Sequence, residues 1–165
     1  VIRASGAYKI ENAYATSIFR GDAVILTSGF VVIALESSST ILGIFAGCQY
    51  RTADGETKFS PYWPASTATL NDEAVQAFVY DDPMISYKVQ CDTGTDYVDA
   101  THKATSVDLQ STAGSTITGM SKMEVDLGDT GTGQFKVIGL IDEPGNAVGA
   151  HAKLEVIIDA AFLKA

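Results

Sequence analysis

Carboxylates, two histidines, two thiols and one glycine-rich run are the residues of this chain whose types could make a chemical site. Asp81 and Asp82 stand side by side before Pro83, the simplest pair for general acid–base work. On a strand adjacent side chains point to opposite faces, and before a proline they suit a solvated turn. A two-carboxylate hydrolase also needs its groups placed around a substrate, which adjacency does not supply. Asp92, Asp96, Asp99 and Asp108 offer oxygens to a divalent ion, but their spacing does not follow the calcium-binding EF-hand, and turn hydrogen bonding accounts for the same residues. No coordination set is assigned.

His102 and His151 are widely separated and outside any HExxH pattern. Cys48 and Cys91 match neither a CxxC redox pair nor a zinc cluster; reduced, partly buried thiols are the plain reading, and one disulfide stays open. A nucleophilic cysteine would need a histidine and an orienting group to converge on it, and no pattern announces that. The run from Gly128 to Gly133 lacks the Gly-Lys-Ser/Thr ending of a phosphate loop and reads as a flexible β-turn. No catalytic, cofactor-binding or metal-ligating residue is assigned, and the expected protein is non-enzymatic and without cofactor.

Positioning elements must come from 165 residues, enough for one substantial core. Hydrophobic residues are 46% and charged residues 19%, a globular balance rather than a disordered one. The net charge of -9 leaves no cationic excess to exchange for phosphate counterions, so a nucleic-acid partner is not expected. Apolar runs are too short for a spanning helix, and the opening residues lack the pattern of a signal peptide; a soluble protein without a membrane partner, assembled in the cytoplasm, is expected.

Residues 1–20 show no clean period and read either as an N-terminal arm along this or a neighbouring subunit, or as the first irregular layer of the fold. From Gly21 short β-like runs follow at 23–27, 30–34 and 41–46, with Ser28-Gly29 as a hairpin turn. Asp54-Gly55 marks another hairpin, with Tyr50 and Phe59 on its arms. The segment Ser60-Pro61-Tyr62-Trp63-Pro64-Ala65-Ser66 concentrates aromatic surface between prolines and reads as a constrained loop, covering a barrel end or contacting another subunit.

Further strands are expected at 73–80, 85–91, 134–141 and 152–158, with Leu154, Val156 and Ile158 on one face. Between Asp92 and Asp129 the Thr, Ser, Gly and Asp content favours short strands, at 107–109 and 120–127, over a long helix. The fold class is therefore mainly β: a single-domain β-barrel or sandwich, with residues 1–20 as arm and 21–165 as the β-rich domain.

Gly21-Asp22-Ala23-Val24, the run from Ile41 to Cys48, Tyr62-Trp63-Pro64, and Val79-Tyr80-Asp81-Asp82-Pro83 together resemble the capsid decoration, or cement, proteins of tailed bacteriophages. The resemblance covers much of 21–158 and lies in folding signatures rather than catalytic ones. It implies a compact β-domain, in some members β-tulip-like and often a homotrimer, bound through the major capsid protein to the outer surface of the virion. Under that resemblance Tyr62 and Trp63 are the leading interface anchors, with Tyr8, Tyr14, Ile18 and Phe19 as arm contacts. The competing reading is that these residues complete the protein's own packing. The alternative function is a carbohydrate-binding β-module displayed on a larger assembly, with an exposed ring beside ordered polar groups.

Overall fold

The computed structural model describes residues 5–130 and 133–162. Residues 1–4 of the expected arm, and 131–132 of the glycine-rich run, lie outside the described residues. The chain is mainly β, with two antiparallel sheets, as the short runs and turn signals require. It divides into two compact units, the first taking residues through 34, then 42–81 and 113–122, and the second taking 35–41, 82–112 and 123 onward.

The first unit contains β1 (Ser5–Ile10), β2 (Ala23–Thr27), β3 (Phe30–Ile33), β4 (Gly43–Arg51), β5 (Thr57–Ser60) and β6 (Val75–Tyr80). Their order is β1-β6-β4-β2-β3, with β5 paired to β4. Ser28 and Gly29 both have positive φ, 52° and 85°, so the β2–β3 turn twists with its strands as a two-residue hairpin requires. Period-two burial sets the sheet's inner face: Val75, Ala77 and Val79 are buried on β6 while Gln76 between them is exposed. These residues join Ile10, Ile18, Val24, Val31, Phe45, Tyr50 and Trp63 in one core cluster.

Residues 5–20 run along this same unit. β1 pairs with β6, and Ile18 forms a bridge with Trp63. The sequence concealed β1 because its alternation is short and opens on Ser-Gly-Ala, residues with weak strand preference.

The second unit contains β7 (Ser86–Gln90), β8 (Ser106–Gln110), β9 (Glu124–Thr130), β10 (Phe135–Leu140) and β11 (Lys153–Ile158), in the order β7-β11-β10-β8-β9. The expected face of Leu154, Val156 and Ile158 is buried, with Glu155 exposed between. A one-turn helix, α1 (Asp99–His102), interrupts the stretch where only strands were expected.

Gln134 is a buried amide with its polar atoms engaged. Its Oε1 accepts the Leu109 N–H at 2.8 Å, and its Nε2 donates to the carbonyls of Glu36 and Ser38 at 2.7 and 2.8 Å. One side chain thus ties β8 to the 35–41 segment, and losing it orphans main-chain groups. Gln134→Leu is expected to lower the unfolding free energy by about 2–3 kcal/mol, measured by urea denaturation.

Candidate functional site

The aromatic segment 60–66 is a braced turn in the first unit. Trp63 is fully buried and sits edge-on to Tyr50, ring centroids 5.3 Å apart at 83°. Its main chain pairs with Ile18 in both directions, at 2.8 and 3.2 Å, and its Nε1–H donates to the Tyr14 carbonyl at 3.1 Å. The same carbonyl accepts the Ser66 N–H at 2.8 Å, and Ser17 Oγ accepts the Ala65 N–H at 3.0 Å. Prolines on either side of Tyr62-Trp63 limit strand formation, so these local bonds satisfy the donors that a sheet would otherwise pair.

Of the residues expected at an interface, Ile18, Phe19 and Trp63 are enclosed within their own unit. Tyr8, Tyr14 and Tyr62 are half-buried. Tyr8 donates its hydroxyl to Asp81 at 2.9 Å, and burial together with that carboxylate pushes its pKa up to about 12. The Tyr14 hydroxyl accepts the Ile33 N–H at 3.4 Å. Tyr62 stacks on Phe19 with centroids 5.4 Å apart and planes 14° from parallel. The structure therefore gathers Tyr14, Ile18, Phe19, Tyr62 and Trp63 in one place, and puts Tyr8 beside Asp81.

A second segment completes the surface and was not singled out in the sequence. Residues 115–120 form a hairpin closed by the Ser115–Met120 bridge. It rests on the stacked rings through two glycines. A Cβ on Gly114 would collide with the Phe19 ring, and one on Gly119, whose φ is 70°, would lie 2.9 Å from Pro61 Cγ and 3.3 Å from Tyr62. Arg20 N–H donates to the Gly119 carbonyl at 3.1 Å and Ser121 N–H to the Arg20 carbonyl at 2.9 Å. Held this way, the hairpin exposes Ile117 at 95% and Met120 at 48%. The sequence placed Met120 at the start of a strand over 120–127, whereas the strand begins at Glu124 and Met120 closes the hairpin; the remaining signal was Ile117, alone in a Ser/Thr/Gly run.

The other candidates are held apart in small local structures. Asp81 accepts from Tyr8, while Asp82 accepts the Met84 N–H at 2.9 Å in its own turn. Asp92 accepts the Gly94 N–H at 2.8 Å, and Asp99 accepts the Tyr97 hydroxyl at 2.5 Å. Asp96 is exposed. Burial, then the neighbouring Asp129, Asp126 and Glu36, raises the pKa of Asp108. Among the described residues, no three His, Cys, Asp or Glu side chains are grouped to hold a metal ion.

His102 accepts the Val98 N–H on Nδ1 at 3.0 Å, and His151 Nδ1 lies 2.9 Å from Gln90 Nε2. Cys48 and Cys91 are free, buried thiols that donate to the carbonyls of Tyr62 and Gly149, at 3.6 and 3.7 Å. Burial pushes the Cys48 pKa up to about 12 and raises that of Cys91.

Comparison with protein-family models, with curated proteins and with solved structures gives no match for this chain.

Trp63→Ala is expected to cost about 3–5 kcal/mol in chemical denaturation, since it empties an aromatic site and leaves the Tyr14 carbonyl without the indole donor. Both thiols are expected to resist a disulfide reagent in the native protein at neutral pH and to react promptly in denaturant, because the thiolate is the reactive form and burial disfavours it. Fast native labelling of either would contradict that placement.

Proposed function

We propose that this protein is a non-enzymatic structural protein that attaches to the outer surface of a bacteriophage capsid and stabilises it. The observation that carries the reading is the hairpin tip. Ile117 and Met120 are apolar, exposed, and held on a braced aromatic base rather than on a loose loop. An exposed apolar residue on a rigid support loses little conformational freedom on docking, which suits an interface anchor. The resemblance over much of 21–158 to decoration proteins supports the choice of partner: the major capsid protein of an assembled lattice.

On this reading Tyr62 contributes at the edge of the docking surface, while Trp63, Phe19 and Ile18 support it from beneath. Attachment to many equivalent lattice positions, with the protein itself a homo-oligomer and in the proposed form a trimer, raises effective affinity without a strong isolated contact. Preferential binding to the assembled shell stabilises that shell by mass action. The finer fold reading, a barrel or β-tulip-like arrangement, draws on the approach of sheet ends within each unit. β1 comes near β3 in the first, and Cys91 bridges Val125 in the second.

Purified protein mixed with unoccupied mature capsids and sedimented through a gradient is expected to bind saturably, at a copy number that matches the lattice. The doubly substituted Ile117→Asp, Met120→Asp protein, folded by circular dichroism, is expected to lose about tenfold or more in affinity. Unchanged occupancy by that variant would remove the hairpin from the interface. Failure of the wild-type protein to bind, with a reproducible signal on a glycan panel, would favour the carbohydrate-binding module instead.

A further inference from the structure

Asp22 is a fully buried carboxylate in the first unit. Its Oδ2 accepts the Phe19 N–H at 2.8 Å, and the carboxylate takes a second hydrogen bond from the Ser121 hydroxyl. Oδ1 is enclosed without a hydrogen-bond partner. An ionised group so placed costs stability, because half of its lone pairs have lost water and gained nothing. A neutral side chain of similar size would fill the space more cheaply. What the carboxylate supplies is acceptor strength: hydrogen bonds to an ionised acceptor are roughly twice as strong as neutral ones.

Both donors belong to the docking surface proposed above. Phe19 carries the ring beneath Tyr62, and Ser121 follows Met120 directly at the hairpin's exit. Main-chain bonds fix the base on which this strap acts. Gly21 N–H donates to the Phe45 carbonyl at 2.8 Å, and Phe45 N–H returns to the Asp22 carbonyl at 2.9 Å, anchoring Asp22 to β4. The charged residues on the two strapped segments, Arg20 and Lys122, are exposed, and on the β4 side the contact is Phe45. The donors that hold the carboxylate are thus neutral, and the strength of the strap follows the protonation state of Asp22 itself.

We propose that Asp22 is a positioning residue for the docking hairpin, its carboxylate holding Ser121 and Phe19 so that Ile117 and Met120 are presented in one fixed arrangement. This rests on the docking reading. It carries a signature that simple core packing lacks, because pH acts in opposite directions on the whole fold and on the hairpin.

Burial is the larger influence on Asp22 and raises its pKa above the ordinary carboxylate value. With the folded value above the unfolded one, its contribution to global stability is present in acid, below the ordinary carboxylate range, and is lost as pH rises through the raised folded value. Locally the order reverses, since a protonated carboxyl is the weaker acceptor and the hairpin loosens as pH falls.

The test is site-resolved amide hydrogen exchange on wild type, Asp22→Asn and Ser121→Ala, with urea denaturation and capsid sedimentation on the same proteins. At neutral pH both variants are expected to exchange the Gly119 and Ser121 amides about tenfold faster than wild type, and to bind capsids more weakly. Asp22→Asn is expected to be at least as stable globally as wild type, with a flatter dependence of stability on pH. Ser121→Ala keeps the buried carboxylate and carries the test if Asp22→Asn does not fold. Unchanged exchange at both amides in Ser121→Ala would overturn the role of Asp22. Wild-type protein that binds no capsid would overturn the docking reading alone, and the exchange result would still decide whether Asp22 orders the hairpin.

Discussion

The indole of Trp63 is the constraint on which the first unit depends. An aromatic side chain of this size buries roughly 150–250 Å², worth on the order of 4–6 kcal/mol as an upper figure. That gain is available only if the indole N–H also finds an acceptor, and the Tyr14 carbonyl is that acceptor. Meeting both demands draws residues 14–18 alongside 60–66, and the Ile18–Trp63 bridge follows. Once Ile18 is placed, Phe19 lies against Tyr62 and Asp22 reaches the Phe19 amide. The hairpin at 115–120 rests on that assembly in turn, with glycines where the approach is closest.

The second unit reaches the same end by a different device. Gln134 stands where an apolar residue would leave three main-chain groups unpaired, and its amide engages them from two directions. In both units a polar atom inside the core organises segments that no ladder joins. Buried polar groups of this kind select one arrangement among several of similar apolar burial, because the alternatives leave them unsatisfied.

Chemistry in this molecule is directed toward holding turns. Asp82, Asp92 and Asp99 each bond to a donor within two residues, and both thiols donate to main-chain carbonyls. Asp22 differs because it keeps its charge site buried and joins segments distant in sequence. The apolar residues left outside, Ile117 foremost, are then the surface that the fold has not used. Under the proposed function, those residues are the ones that attachment to a larger assembly would cover.

Strands with clean alternation were legible from the residues alone. Val75 to Val79 and Leu154 to Ile158 show their inner faces through side-chain type, since a period of two needs only local information. The Ser28-Gly29 and Asp54-Gly55 turns were equally local, because positive φ restricts which residues can occupy them. β1 and α1 were hidden, the first by a weak opening composition and the second by its length of one turn. Tyr62 and Trp63 were recognisable as a pair, yet adjacent residues can have opposite fates: Trp63 is enclosed while Tyr62 keeps part of its surface. Composition and spacing determined that this chain would be mainly β, acidic and turn-rich. Tertiary structure alone decided which aromatics became core, which carboxylate was buried, and that Ile117 would stand exposed, because each outcome depends on partners some 40 to 100 residues away that no local pattern records.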